Sequence, residues 1–105
     1  DESMQVFNCE TFGPVFCVMK IKDLNHAIEI ANNSEYGLGG SVWSEDLNVA
    51  KNVANQIETG SVYINDFMKS DPRMPFGGVK KSGYGLELSK YGIREFINMK
   101  SIVVK

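Results

Sequence analysis

Cysteine, histidine and proline are scarce in this chain, and each scarcity excludes something. Two cysteines, Cys9 and Cys17, and one histidine, His26, in 105 residues are too few for a disulfide framework or a zinc site. His26 stands among helix-forming residues with no second ligand nearby and is read as a surface helix position; Cys17 falls in an apolar run and is read as a buried, inert thiol. Charge of one sign is also lacking: 11 basic against 13 acidic residues leave a net charge of -2. There is therefore no electrostatic footprint for nucleic acid or an anionic membrane surface. No long hydrophobic run occurs. The longest uncharged, mainly apolar stretch, Val15 to Met19, is far short of the ~20 residues of a membrane-spanning helix. The acidic start at Asp1-Glu2 is unlike a secretory signal peptide. A cytoplasmic setting is expected, without metal, nucleic-acid or membrane partners.

What is present is an ordinary globular balance, 43% hydrophobic and 23% charged, in a length that suits one small domain. The pattern predicts alternating strands and helices. Pro14 to Ile21 reads as a buried strand. Asp23 reads as the N-cap of a helix whose apolar stripe is Leu24, Ala27, Ile28 and Ala31, ended by Asn32-Asn33-Ser34. A second strand is centred on Ser41-Val42-Trp43 within 37–44. Ser44 is the expected cap of a second helix, with Leu47, Ala50, Val53, Ala54 and Ile57 as its buried face and Gly60 closing it. A third strand is expected over Ser61 to Asp66. Strand, helix, strand, helix, strand with short connections implies an α/β class built from βαβ units with a mainly parallel sheet.

Asp66 to Gly85 breaks that rhythm with Pro72, Pro75, Gly77, Gly78, Gly83 and Gly85. A loop of this length in a small domain is usually functional. A short helix over Glu87 to Gly92 and a final edge strand over Ile97 to Val104 are expected to follow. The segment FGGVKKSGYG is neither a phosphate loop, which needs glycine directly before Lys-[Ser/Thr], nor a dinucleotide fingerprint. Its glycines suit tight turns and close packing. Glu10, at the entry to the first expected strand, is either a solvated acid or a carboxylate aimed into a cleft. Lys69, Ser70 and Arg73 gather two positive charges and a hydroxyl that suit either a carboxylate or a solvated loop tip.

Four motifs in order bring these residues together: Glu10-Thr-Phe-Gly-Pro-Val15, Asn33-Ser-Glu-Tyr-Gly-Leu38, Met74-Pro-Phe-Gly-Gly-Val-Lys-Lys-Ser-Gly83 and Lys90-Tyr-Gly-Ile-Arg-Glu-Phe96. In sequence and spacing they resemble the C-terminal segment of aldehyde dehydrogenases. Asn65 to Asp71, with Arg73, is similar to the succinate-semialdehyde dehydrogenase branch. Cys9 departs from the family pattern, standing at the first acidic position of the usual Glu-Glu-x-Phe-Gly-Pro.

The resemblance implies an aldehyde-dehydrogenase-like catalytic domain over residues 1–96 and a terminal oligomerisation strand over 97–105. It implies NAD or NADP as cofactor, with Glu10 holding the nicotinamide ribose hydroxyls and Phe12 packing against the cofactor. Met68, Ser70 and Phe76 match positions that line the substrate tunnel, Ser70 as donor to the distal carboxylate of succinate semialdehyde. Glu87 matches a glutamate that can relay protons to the general base. The usual arginine before it is Leu86 here, which leaves the orientation of Glu87 open. The catalytic cysteine and general base lie upstream in the family, so the chain is expected to be inactive alone and part of a homodimer or homotetramer in the intact enzyme. The alternatives are an enzyme for another short-chain aldehyde such as lactaldehyde, or a non-catalytic binding module.

Overall fold

The computed structural model describes residues 1–105, which fall into two compact units, Asp1–Ser34 and Glu35–Lys105. In the first, a single helical turn, α1 (Gln5–Asn8), is followed by an extended C-cap at Cys9. Helix α2 (Leu24–Asn32) begins where the sequence suggested, because the Asp23 carboxylate accepts from the His26 backbone N–H at 2.9 Å. It ends at Asn33, whose N–H donates to the Glu29 and Ile30 carbonyls. His26 is half-buried rather than a free surface position, and its Nδ1 accepts from the Lys22 N–H at 3.1 Å. The apolar stripe is thinly covered: Ala27 and Ile28 are half-buried, while Leu24 and Ala31 are exposed.

The expected first strand does not form. Residues 14–21 carry no strand pairing, and Phe16 and Val18 are 90% and 89% exposed. The apolar, β-branched composition is there, but no neighbouring strand is available within the chain to take the backbone hydrogen bonds. For the same reason Cys17 is exposed, against the expectation of a buried thiol.

The second unit opens with β1 (Tyr36–Gly37) and β2 (Gly39–Val42), passes through α3 (Leu47–Ala54), and returns as β3 (Ser61–Ile64). Strands β2 and β3 are parallel, with Gly39 opposite Ser61 and Val42 opposite Ile64. This is the expected βαβ unit, in which a helical crossover is what allows neighbouring strands to run parallel. Ala50 and Val53 of α3 are the only buried hydrophobic side chains. The cap of α3 is Asp46, not Ser44. The Asp46 carboxylate accepts from Asn48 N–H at 2.8 Å and Val49 N–H at 3.2 Å, whereas Ser44 Oγ accepts from Asp46 N–H one step earlier. Gly60 does not close α3, which ends at Asn55; its N–H donates to the Gly37 carbonyl at 3.0 Å instead.

The long segment after β3 contains β4 (Val79–Lys80), which pairs antiparallel with β1. The strands therefore form two separate two-stranded sheets, one parallel and one antiparallel, rather than one mainly parallel sheet. Helix α4 (Ser89–Arg94) starts later than expected, after Leu88 at φ 63°. Gly92 is required there, because a Cβ would lie 2.6 Å from the Glu87 carbonyl carbon. Residues 97–105 form no strand and are exposed throughout. No helix is long and apolar enough to cross a membrane.

Candidate functional site

In the first unit, the end of α1 sets up Glu10 and Phe12. Once Cys9 turns extended, no helix or strand claims the residues that follow, and Thr11 makes only a local bond from Oγ1 to the Cys9 carbonyl at 3.3 Å. The Glu10 carboxylate is exposed and belongs to none of the chain's ion pairs. The Phe12 ring is 93% exposed.

In the second unit, the loop after β3 carries Met68 and Ser70. Three contacts fix it to the βαβ unit. The Phe67 ring meets Trp43 edge-on with centroids 5.3 Å apart. Met68 packs over Gly39. The Tyr63 hydroxyl donates to the Lys69 carbonyl at 2.6 Å. Ser70 stands exposed beyond these contacts.

Charge in this loop is balanced. Lys69 pairs with Asp66, and its ammonium, donating to that carboxylate, holds Asp66 below the ordinary carboxylate range and is itself raised. Arg73 forks onto Asp71, with Nη2 2.6 Å from Oδ2 and Nε 2.9 Å from Oδ1. Those hydrogen bonds hold Asp71 down at about 2. Each cation that the sequence offered for a carboxylate ligand thus already has an aspartate.

Phe76 and Glu87 are brought together by a link that the sequence did not reveal. Each donates its N–H to the other's carbonyl, at 2.9 and 2.8 Å, and side chains of such a cross-strand pair lie on one face. Both line a cleft of about 430 Å³ with Leu38, Tyr84, Glu95 and Phe96. Met68 and Ser70 do not line it. The glycines of this segment serve close packing and turns: a Cβ at Gly78 would lie 2.6 Å from Ser82 Cβ, and Gly85 takes φ 76°. Ser82 Oγ accepts from the Gly37 N–H at 2.9 Å, which ties the glycine-rich turn to β1. No group of three or more His, Cys, Asp or Glu side chains gathers to hold a metal ion.

These motifs and this fold agree with known proteins. The aldehyde dehydrogenase family signature matches residues 1–102. The chain belongs to the aldehyde dehydrogenase family. It is 50% identical over 101 residues to an aldehyde dehydrogenase of Paenarthrobacter nicotinovorans, covering 96% of this chain and 22% of that protein. It is 46% identical over 99 residues to the succinate semialdehyde dehydrogenase [NAD(P)+] Sad of Escherichia coli, covering 94% of this chain and 21% of that one. Among solved structures, the succinic semialdehyde dehydrogenase of Streptococcus pyogenes, in complex with NADP+, superposes with a TM-score of 0.91 at 46% identity, over 95% of this chain and 22% of that one. The chain spans about a fifth of the length of the curated relatives it matches.

The likeness establishes the α/β aldehyde dehydrogenase fold. It also gives the unpaired runs of this family chain a context, since the relatives carry several hundred further residues against which exposed apolar side chains can pack.

Proposed function

We propose that this chain is the C-terminal part of an NAD(P)-dependent aldehyde dehydrogenase that oxidises succinate semialdehyde to succinate, with residues 1–96 in the catalytic domain and 97–105 as the terminal strand for subunit assembly. The observation that carries the reading is the aldehyde dehydrogenase signature over residues 1–102, within which Glu10-Thr-Phe-Gly-Pro lies in an exposed segment with Glu10 in no ion pair. These residues fit a nicotinamide nucleotide. Glu10 would accept from both hydroxyls of the ribose, and charge-assisted bonds of this kind contribute about 1.5–3 kcal/mol each. Phe12 would give the nucleotide an apolar face to rest against. When bound, the nicotinamide supplies the hydride acceptor.

Met68, Ser70 and Phe76 form one wall of the aldehyde tunnel in this reading. Ser70 donates its hydroxyl to the distal carboxylate of the substrate, and Met68 and Phe76 keep water from the chain between. Glu87, whose backbone pairs with Phe76, would relay a proton to the general base. That base and the nucleophilic cysteine belong to other parts of the enzyme; Cys9 and Cys17 are not assigned to the chemistry, and the chain alone is inactive. The intact enzyme is a cytoplasmic homo-oligomer.

Relatives that act on succinate semialdehyde, 46% identical across nearly the whole chain, support the choice of substrate. One observation favours a neutral short-chain aldehyde such as lactaldehyde instead: Lys69 and Arg73 are each already matched by an aspartate, so this loop adds no spare positive charge.

Two variants of the full-length enzyme test the reading. In Glu10→Gln, single-turnover hydride transfer should slow about tenfold to a hundredfold through loss of charge-assisted bonds to the ribose. An unchanged rate would remove Glu10 from the site. In Ser70→Ala, the KM for succinate semialdehyde should rise while that for a neutral aldehyde of similar length stays put, a difference of about 1.5–3 kcal/mol. Equal effects on both substrates would favour the neutral-aldehyde reading.

A further inference from the structure

We propose that Gly39 is a positioning residue for the aldehyde, acting through Met68; the inference rests on the reading of Met68 as part of the substrate wall. Gly39 opens β2 opposite Ser61 of β3. The space where its side chain would stand is filled by the Met68 thioether: a Cβ there would collide with Met68 Sδ, and Cγ would be 3.2 Å away. The remaining neighbour is Ser61 Oγ, 3.3 Å from that point. This hydroxyl is buried and has no hydrogen-bond partner, so Met68 closes a notch whose floor offers it only a weak polar contact. Met68 remains 43% exposed, which leaves part of it free to face a ligand.

A thioether on three rotatable bonds has no fixed place of its own. Here its place is set by what β2 omits. The loop backbone is fixed separately, by the Tyr63 hydroxyl on the Lys69 carbonyl and by Phe67 against Trp43. Gly39 therefore decides where the Met68 side chain sits, while Tyr63 and Trp43 decide where the loop runs. The three nearest neighbours of an added methyl at Gly39 are the flexible end of Met68 and the Ser61 hydroxyl, with no backbone atom among them, so Gly39→Ala should fold and should move the thioether out of its notch.

The test uses the full-length enzyme with 13C-methyl-labelled methionine, the Met68 resonance being assigned by its loss in Met68→Ala. In Gly39→Ala the Met68 methyl resonance should shift, and the aldehyde KM should rise about tenfold with kcat and the cofactor KM unchanged. In the Met68→Ala background, Gly39→Ala should have no further effect on KM. The proposal is overturned by a Met68 resonance that does not move, by an unchanged KM in Gly39→Ala, or by the same KM increase with Met68 absent. Met68→Ala with no effect on any aldehyde would contradict the substrate-wall reading instead, and the resonance would still report whether Gly39 seats the side chain. If Gly39→Ala does not fold, Tyr63→Phe supplies the second test. Releasing the loop backbone while keeping the notch should leave the Met68 resonance near its original position, and a shift as large as that in a denatured sample would show that the notch does not hold Met68.

Discussion

β3 (Ser61–Ile64) and the run at 101–104 are nearly the same in chemistry, Ser-Val-Tyr-Ile against Ser-Ile-Val-Val, and they differ in everything else. β3 is half-buried along its length and paired with β2. In the terminal run Ile102, Val103 and Val104 are 78–87% exposed and nothing pairs with the backbone. The difference lies in what precedes them. α3 carries the chain back over β2 and delivers β3 beside it, whereas no crossover delivers 101–104 to a strand of this chain. β-branched residues describe a segment that fits a pleated, half-covered surface; the surface itself must come from somewhere. Pro14 to Ile21 repeats the lesson, with the same composition and the same exposure of Phe16 and Val18.

Removing the unpaired run should have the largest effect. Deleting Ser101 to Lys105 from the full-length enzyme should dissociate the assembly into smaller units and lower its Tm by several degrees, about 2–4 °C for each kcal/mol lost from a domain of 150–250 residues. The same deletion in the isolated 105-residue chain should leave its thermal unfolding unchanged. Mass in solution and calorimetry check both arms. A truncated enzyme that kept its assembly and Tm would mean that the run has no partner anywhere.

A smaller effect separates the anchored loop from both runs. Asp71 is held at about 2 by its hydrogen bonds from Arg73. A carboxylate with a depressed value stabilises the folded loop above the ordinary carboxylate range near 4, and that contribution disappears as pH falls toward 2. Because the pair is solvent-exposed, the effect on global unfolding should be slight. Carboxyl 13C titration should place Asp71 near 2 in the native chain and higher in Arg73→Ala, though still below its ordinary value, because the backbone N–H of residue 73 continues to donate to the carboxylate. An unchanged titration in the variant would mean that the fork is not formed in solution.

Much of the local structure was legible because its causes are local. Asp23 sits before an apolar stripe and caps α2 as its carboxylate allows, and the βαβ unit follows from periodicity on either side of Asp46. The shift of the cap from Ser44 to Asp46 was not legible, since both are good caps and only the geometry shows which side chain reaches the free amides. α1 left no signal, being one turn without a side-chain cap. What the residues could not convey is non-local: the pairing of Phe76 with Glu87, the notch under Met68, and the absence of partners for 14–21 and 97–104. Glu10 alone read equally as a surface acid. Only its motif drew attention to it, and the structure adds that its carboxylate is uncommitted.

The exposed β-branched runs are proposed to be strands completed by the rest of an aldehyde dehydrogenase. Amide hydrogen exchange decides this by comparing the 105-residue chain with the same residues in the full-length enzyme. The amides of β3 should be protected in both, while those of Val15 to Val18 and Ile102 to Val104 should exchange freely in the isolated chain and become protected in the enzyme. Free exchange of both runs in the full-length enzyme would contradict it.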